Sequence, residues 1–184
     1  RAVLCLAFGE TIVWAGLYYI FPALLLNWET GEGWSKTALT AAFAGALLVS
    51  AVLSPFSGRL IDRGHGPRLM TAATLLGAAM IALLPFAPSL PVFAIIWLVI
   101  GAAMSGALYE PCFALITRTR GAEARKSITL VTLVAGLAGT LSFPLNHWIA
   151  ESLGWHAAAW TFAALIAGLA APLIHLGAGA LERG

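Results

Sequence analysis

Long apolar runs joined by short polar turns constrain this chain more than any other feature. The clearest turn is Gly58-Arg59-Leu60-Ile61-Asp62-Arg63-Gly64-His65-Gly66-Pro67-Arg68, which carries three arginines and one aspartate between two nearly uncharged stretches. Hydrophobic residues make up 60% of the 184 and charged residues 10%. Mean hydropathy is +0.91. Soluble domains sit nearer about 45–50% apolar, so a water-soluble globule with one core is excluded and the apolar runs need lipid as solvent. A helix crosses the ~30 Å hydrocarbon core with about 20 residues. The runs predict an all-α membrane protein with six transmembrane helices over 2–27, 36–58, 68–87, 91–117, 127–149 and 156–178.

Basic residues set the expected orientation. Arg59, Arg63 and Arg68 fall in the second-to-third turn, and Arg118, Arg120, Arg125 and Lys126 in the fourth-to-fifth. Arg1 and Arg183 lie at the ends, and Lys36 alone falls on the opposite side. Both ends are therefore expected in the cytoplasm. Trp28, Trp34, Trp148, Trp155 and Trp160 are expected at the outer headgroup region, where amphipathic rings prefer to sit. The net charge of +2 is explained by topology and calls for no nucleic acid. Cys5 and Cys112 fall inside predicted helices and read as small apolar fillers, with no metal-ligand spacing, no disulfide framework and no cofactor motif. The chain starts at Arg1 without a methionine and is expected to be a piece of a longer protein.

Chemistry concentrates on three helices. Glu10, Trp14 and Tyr18 follow at steps of four and share one helical face. An acid inside a membrane helix costs roughly 2.5–3.5 kcal/mol on insertion scales and usually turns inward. Trp97, Gly101, Ser105 and Tyr109 form a second such stripe, followed by Glu110-Pro111. At a rise of about 1.5 Å per residue, Glu10 and Glu110 lie at similar depth, ~10 Å from the cytoplasmic end. Either could exchange a proton or instead reach the inner interface. Pro111 predicts a bent, cavity-lining segment, and Pro55 a bend before the charged turn. Thr129, Thr132, Gly136, Gly139, Ser142 or Phe143, and Asn146 make a polar, small-residue stripe on the fifth helix, which reads equally as a packing face or a pore lining. The candidate cavity set is Glu10, Trp14, Tyr18, Ser105, Tyr109, Glu110, Thr132 and Asn146.

The turn's pattern resembles the loop between the second and third helices of major facilitator superfamily transporters, matching at Gly58, Leu60, Asp62, Arg63, Gly66 and Arg68. It departs at Gly64-His65, which fill a gap where that family usually has one residue. Gly33-Trp34-Ser35, Gly101, Tyr109, Pro111, Pro144 and Gly154-Trp155 extend the likeness weakly toward bacterial monocarboxylate and oxalate carriers. Two family features are missing. Trp97 stands where the fourth helix often carries arginine, and Gly139 is followed by Thr140 rather than proline; both argue against the usual drug/proton antiporter.

The resemblance implies that residues 1–184 are an N-terminal half built from two inverted three-helix repeats, with a C-terminal six-helix half as partner in the same chain. It implies alternating access to a small solute, such as a small organic acid, across the bacterial inner membrane, and the intramembrane acids Glu10 and Glu110 suit proton-coupled symport. It also implies a cytoplasmic latch formed by Gly58, Asp62, Arg63, Gly66 and Arg68. Two other classes compete. Rhomboid proteases share six helices and a Ser–His pair, which Ser105 in Ala103-Met104-Ser105-Gly106 and His175 would supply. Their depths, roughly 21 and 28 Å at 1.5 Å per residue, do not match. A non-transporting membrane interaction module is the third reading.

Overall fold

Helix starts and stops follow local chemistry. Ser35 caps α3 (Lys36–Leu60), its hydroxyl accepting the Ala38 N–H at 3.3 Å, as its type predicts. Before it run α1 (Ala2–Val13) and α2 (Ile20–Gly31), joined by a wide π turn at Trp14–Tyr18. After it come α4 (Gly66–Leu83), α5 (Leu90–Ala107) and α6 (Tyr109–Arg120). The chain ends with α7 (Ala124–Ala135), α8 (Ala138–Leu153), α9 (Trp155–Leu165) and α10 (Ala171–Arg183). This computed structural model describes residues 1–184 and contains no strand. Four helical stretches are long and apolar enough to cross a membrane: Ala2–Gly31, Lys36–Phe86, Leu90–Leu153 and Trp155–Arg183.

Prolines explain most of the interruptions. A proline lacks an N–H and crowds the carbonyl four residues earlier. Pro22 lies four residues after Tyr18, where the first π turn ends. Pro111 lies four after Ala107, where α5 stops and Leu108 turns extended (φ −90°, ψ −161°). Pro172 lies four after Gly168, inside a second π turn at Ile166–Ala170. Pro55 and Pro144, by contrast, sit inside helices that run on through them. The reversal after α3 falls at Gly64, inside the charged turn. Its φ of +81° is a left-handed conformation that glycine adopts without a Cβ clash. Both α3 and α4 pack on α5, so the chain folds back between them.

Small residues set how closely the helices approach. A Cβ on Gly101 would overlap the backbone carbonyl of Ala46, which places α5 directly on α3. Gly9 lies under Ile174 of α10, Gly77 of α4 under Leu17, and Gly16 under Ile166. Close small-residue contact is the usual device between helices in lipid. Around it stands an aromatic core. Trp28 meets Phe93 at 5.0 Å, Trp97 at 6.1 Å and Trp155 at 6.0 Å between ring centroids, and Phe21 stacks on Phe43 at 4.3 Å. Trp28 is thus fully buried, and Trp155 is buried too. Both correct the expectation of five interfacial tryptophans, because their rings turn toward neighbouring helices. Trp148 and Trp160 are exposed.

Gly101→Val should cost about 1–3 kcal/mol by overpacking, read as a lower unfolding midpoint in detergent. Gly168→Ala, whose Cβ meets open space, should leave that midpoint unchanged.

Candidate functional site

Three interruptions converge on one place. In the π turn of α1–α2 the Tyr19 N–H donates to the Trp14 carbonyl at 2.9 Å, one residue further back than in an α-helix. The Ala15 carbonyl accepts the Ser142 hydroxyl of α8 at 2.8 Å. Trp14 packs on Tyr109, just past the break at Leu108, with ring centroids 4.6 Å apart. Tyr19 lies against Gly139, just past the α7–α8 turn, and 6.2 Å from Phe143. Non-helical backbone at membrane depth is tolerated where it is buried in protein or lines a cavity, and both conditions hold here.

The cavity is a cleft of about 180 Å³ between α3, the Trp14–Tyr18 turn and the α5–α6 break. Trp14, Tyr18, Leu47, Ser54, Met104 and Glu110 are among its walls. Glu110 is exposed and makes no ion pair. Glu10, one turn before Trp14, is fully buried, and neither carboxylate oxygen has a hydrogen-bond partner. The Cys112 thiol lies beside it without the geometry of a normal hydrogen bond. One acid is sealed and the other open.

Of the residues singled out by sequence, Trp14, Tyr18 and Glu110 line the cleft, and Glu10 and Tyr109 lie beside it. The other three do not line this cleft. Ser105 is buried between α3 and α5, 3.3 Å from the Ser57 hydroxyl, and donates to the Ala102 carbonyl at 2.8 Å. Thr132 is exposed and bonds its own helix at the Ile128 carbonyl, 2.9 Å away. Asn146 is buried and donates to the Ser142 carbonyl and hydroxyl at 2.9 and 3.0 Å. His175 contacts Thr71, with Nδ1 3.2 Å from its hydroxyl. Ser105 and His175 therefore have different partners, and no Ser–His pair forms. Asp62 is exposed and forms no ion pair with Arg59, Arg63 or Arg68. The ion pair at that end is Arg118 of α6 with Glu182 of α10, beside Gly66.

Sequence reasoning missed Tyr19, read Cys112 as a filler, and placed Ser142 on the fifth-helix stripe without foreseeing its bond to the Ala15 carbonyl. A straight helix of 3.6 residues per turn puts Tyr18 on the Glu10–Trp14 face and leaves Tyr19 off it. The π turn brings both tyrosines beside Trp14, with centroids at 5.1 and 6.2 Å. Pro22 was the available signal.

Helices of this length and hydropathy, close-packed through glycine around a buried acid, define an all-helical integral membrane protein. The chain belongs to the Major Facilitator Superfamily, whose family model matches residues 4–180. It is 24% identical over 163 residues to the multidrug resistance protein MdtH of Yersinia pestis (strain Pestoides F) and of Yersinia pseudotuberculosis (strain YPIII). The match covers 87% of this chain and 40% of each relative, so the chain spans about two fifths of their length. No solved structure matches it. These relatives do not single out the monocarboxylate and oxalate branch.

Removing the Ser142 hydroxyl should leave the Ala15 carbonyl and the Asn146 amide each short of a partner. Ser142→Ala should cost about 0.6 kcal/mol, up to roughly 1.7 kcal/mol, measured by reversible unfolding in detergent.

Proposed function

We propose that this chain is the N-terminal half of a secondary active transporter, moving a small solute by alternating access, with Glu10 carrying a coupling proton. The observation that carries it is Glu10 itself: a fully buried carboxyl with no cation and no hydrogen-bond donor on either oxygen. Burying an unpaired carboxylate is costly enough that such groups neutralise. Exposure of the same carboxyl to water on one side releases its proton there, which ties proton movement to opening and closing. Trp14 and Tyr109, in contact above it, are the elements whose separation would expose it.

Six crossings in two inverted three-helix repeats suit this function, with Gly64 and Gly121 marking two of the reversals by their positive φ. A bacterial inner-membrane protein with both ends cytoplasmic is supported by the arginine-rich turns. It is supported too by the Arg118–Glu182 pair and the nearness of Glu182 to Gly66, which gather both turns and the α10 end on one side. The rest of the same polypeptide would supply a second half and complete the solute path. The name of the Yersinia relatives favours a foreign organic compound over a small organic acid. No basic residue lines the cleft, so the counter-charge for an acid would have to come from the second half.

In proteoliposomes of the full-length protein, Glu10→Gln should abolish accumulation driven by a proton gradient and flatten its pH dependence, while solute exchange persists. Accumulation equal to the parent's, with an unchanged pH profile, would sink the assignment. The second expected outcome concerns the charged turn. Asp62 is exposed and unpaired within this chain, free to latch against the other half. Asp62→Asn should slow transport severalfold with normal membrane insertion; unimpaired uptake refutes the latch.

A further inference from the structure

We propose that Ser142 is the positioning residue of Glu10. Its hydroxyl holds the π turn at Trp14–Tyr18, and release of that bond lets the turn move one helical turn back, rotating Glu10 out of its seal. This rests on the role given to Glu10 above and adds what controls its access.

The bond that holds the turn stands in for a missing one. In a regular helix the Tyr19 N–H would donate to the Ala15 carbonyl, four residues back. Here it donates to Trp14 at 2.9 Å, and the Ser142 hydroxyl of α8 serves Ala15 at 2.8 Å. A serine hydroxyl has one proton to give. The Asn146 amide donates to Ser142 Oγ at 3.0 Å, which leaves that proton aimed at Ala15. Without the hydroxyl, the Ala15 carbonyl recovers a partner only when the Tyr19 N–H returns to it, and that return ends the π turn there.

The residues that a moving turn would sweep are loosely tied. Both Glu10 carboxylate oxygens and the Trp14 indole N–H are buried without a hydrogen-bond partner. The Thr11 hydroxyl bonds only its own helix, at the Ala7 carbonyl. A cavity of about 110 Å³ runs beside them, with Thr11, Ile12 and Ala15 on one side and Ser142, Leu145 and Phe162 on the other. Unfilled space forfeits contact energy, and here it adjoins the segment that must turn. A wide turn that shifts by one helical turn rotates only the residues it passes, by about 100°. Glu10 and Trp14 turn, while Gly9 stays under Ile174 and Tyr19 stays against Gly139. Trp14 then leaves Tyr109, the separation that opens the carboxyl to water.

The surface on which this segment rides is itself irregular. A Cβ on Gly16 would lie 2.6 Å from Ile166 Cδ1, so the middle of the first π turn rests on the first residue of the second. A regular helix would present fixed ridges to its neighbour. The turn at Ile166–Ala170, released by Pro172, gives the seam a second adjustable segment instead. Single π turns inside α-helices are frequent at functional sites.

The test uses the full-length protein in proteoliposomes and N,N′-dicyclohexylcarbodiimide, an apolar reagent for protonated carboxyls, with modification of Glu10 followed by peptide mass spectrometry. Ser142→Ala should label about 3- to 17-fold faster than the parent, the range set by one hydrogen bond between membrane helices. Ser142→Thr keeps the hydroxyl and should label at the parent rate. Gly16→Ala wedges against Ile166 and should also speed labelling. Adding Ile166→Val conserves total volume and should bring the rate back toward the parent's. Ser57→Ala removes a hydroxyl contact between α3 and α5, 3.3 Å from Ser105 and away from the turn. It should leave labelling unchanged, which separates the switch from general loosening. A parent rate in Ser142→Ala, or an equal rise in Ser57→Ala, overturns the proposal. Labelling that follows Ser142 in a protein whose Glu10→Gln variant still accumulates solute upholds the switch and defeats the proton assignment. Labelling indifferent to Ser142, with Glu10→Gln unable to accumulate solute, does the reverse.

Discussion

A helix in lipid must satisfy its own backbone, and every departure from that rule needs a local substitute. This chain departs from it at Trp14–Tyr18, at Leu108 and at Gly136–Leu137, and the substitutes are visible. Tyr19 reaches back to Trp14, Ser142 crosses from α8 to the Ala15 carbonyl, and the Leu108 N–H still finds the Met104 carbonyl at 3.1 Å. The Gly136 N–H donates to Thr132 at 2.8 Å and the Leu137 N–H to Val134 at 3.1 Å. These repairs tie three parts of the chain together around the same aromatic rings. The cleft and the buried acid both depend on that convergence.

The consequence is an asymmetry between two glutamates that look equivalent along the chain. Glu10 lies before its interruption, on a regular helix whose neighbouring Gly9 is pressed under Ile174, and is enclosed on all sides. Glu110 lies just after an interruption, on the first turn of α6, and opens to the cleft. Proline chemistry makes this difference: Pro111 forces the backbone apart at the carbonyl it cannot serve. A sealed acid beside an open cleft suits a protein that must handle a proton and a solute in turn, which is the reading proposed here.

Much of the scaffold was legible. The apolar runs place the helices, though several run past an expected end: α2 continues to Gly31, α3 to Leu60 and α10 to Arg183, while α4 stops at Leu83, short of 87. Ser35 caps as its residue type suggests. Pro111 marks a break, and Gly64, which looked like an irregularity in the charged turn, is the residue whose positive φ makes the turn. Trp14, Tyr18 and Glu110, singled out by spacing and charge, lie along the cleft. Ser105, Thr132 and Asn146 were not separable from them by the same signals. A hydroxyl or amide in a membrane helix serves packing and chemistry equally well on paper, and here Ser57, the Ile128 carbonyl and Ser142 claim them.

By itself the sequence determined the solvent, the helical class and the family, because hydropathy, turn glycines and basic residues act locally and can be read one segment at a time. The tertiary structure alone decided which residues face one another. Helical phase accumulates along the chain at about 100° per residue, so one π turn or one extended residue rotates everything beyond it. Tyr19 comes to the site and Tyr109 leaves the Gly101 face for that reason. Trp28 shows the same limit in another form. Its depth near a helix end suggested an interface, but direction is independent of depth, and its ring turns inward to Phe93, Trp97 and Trp155.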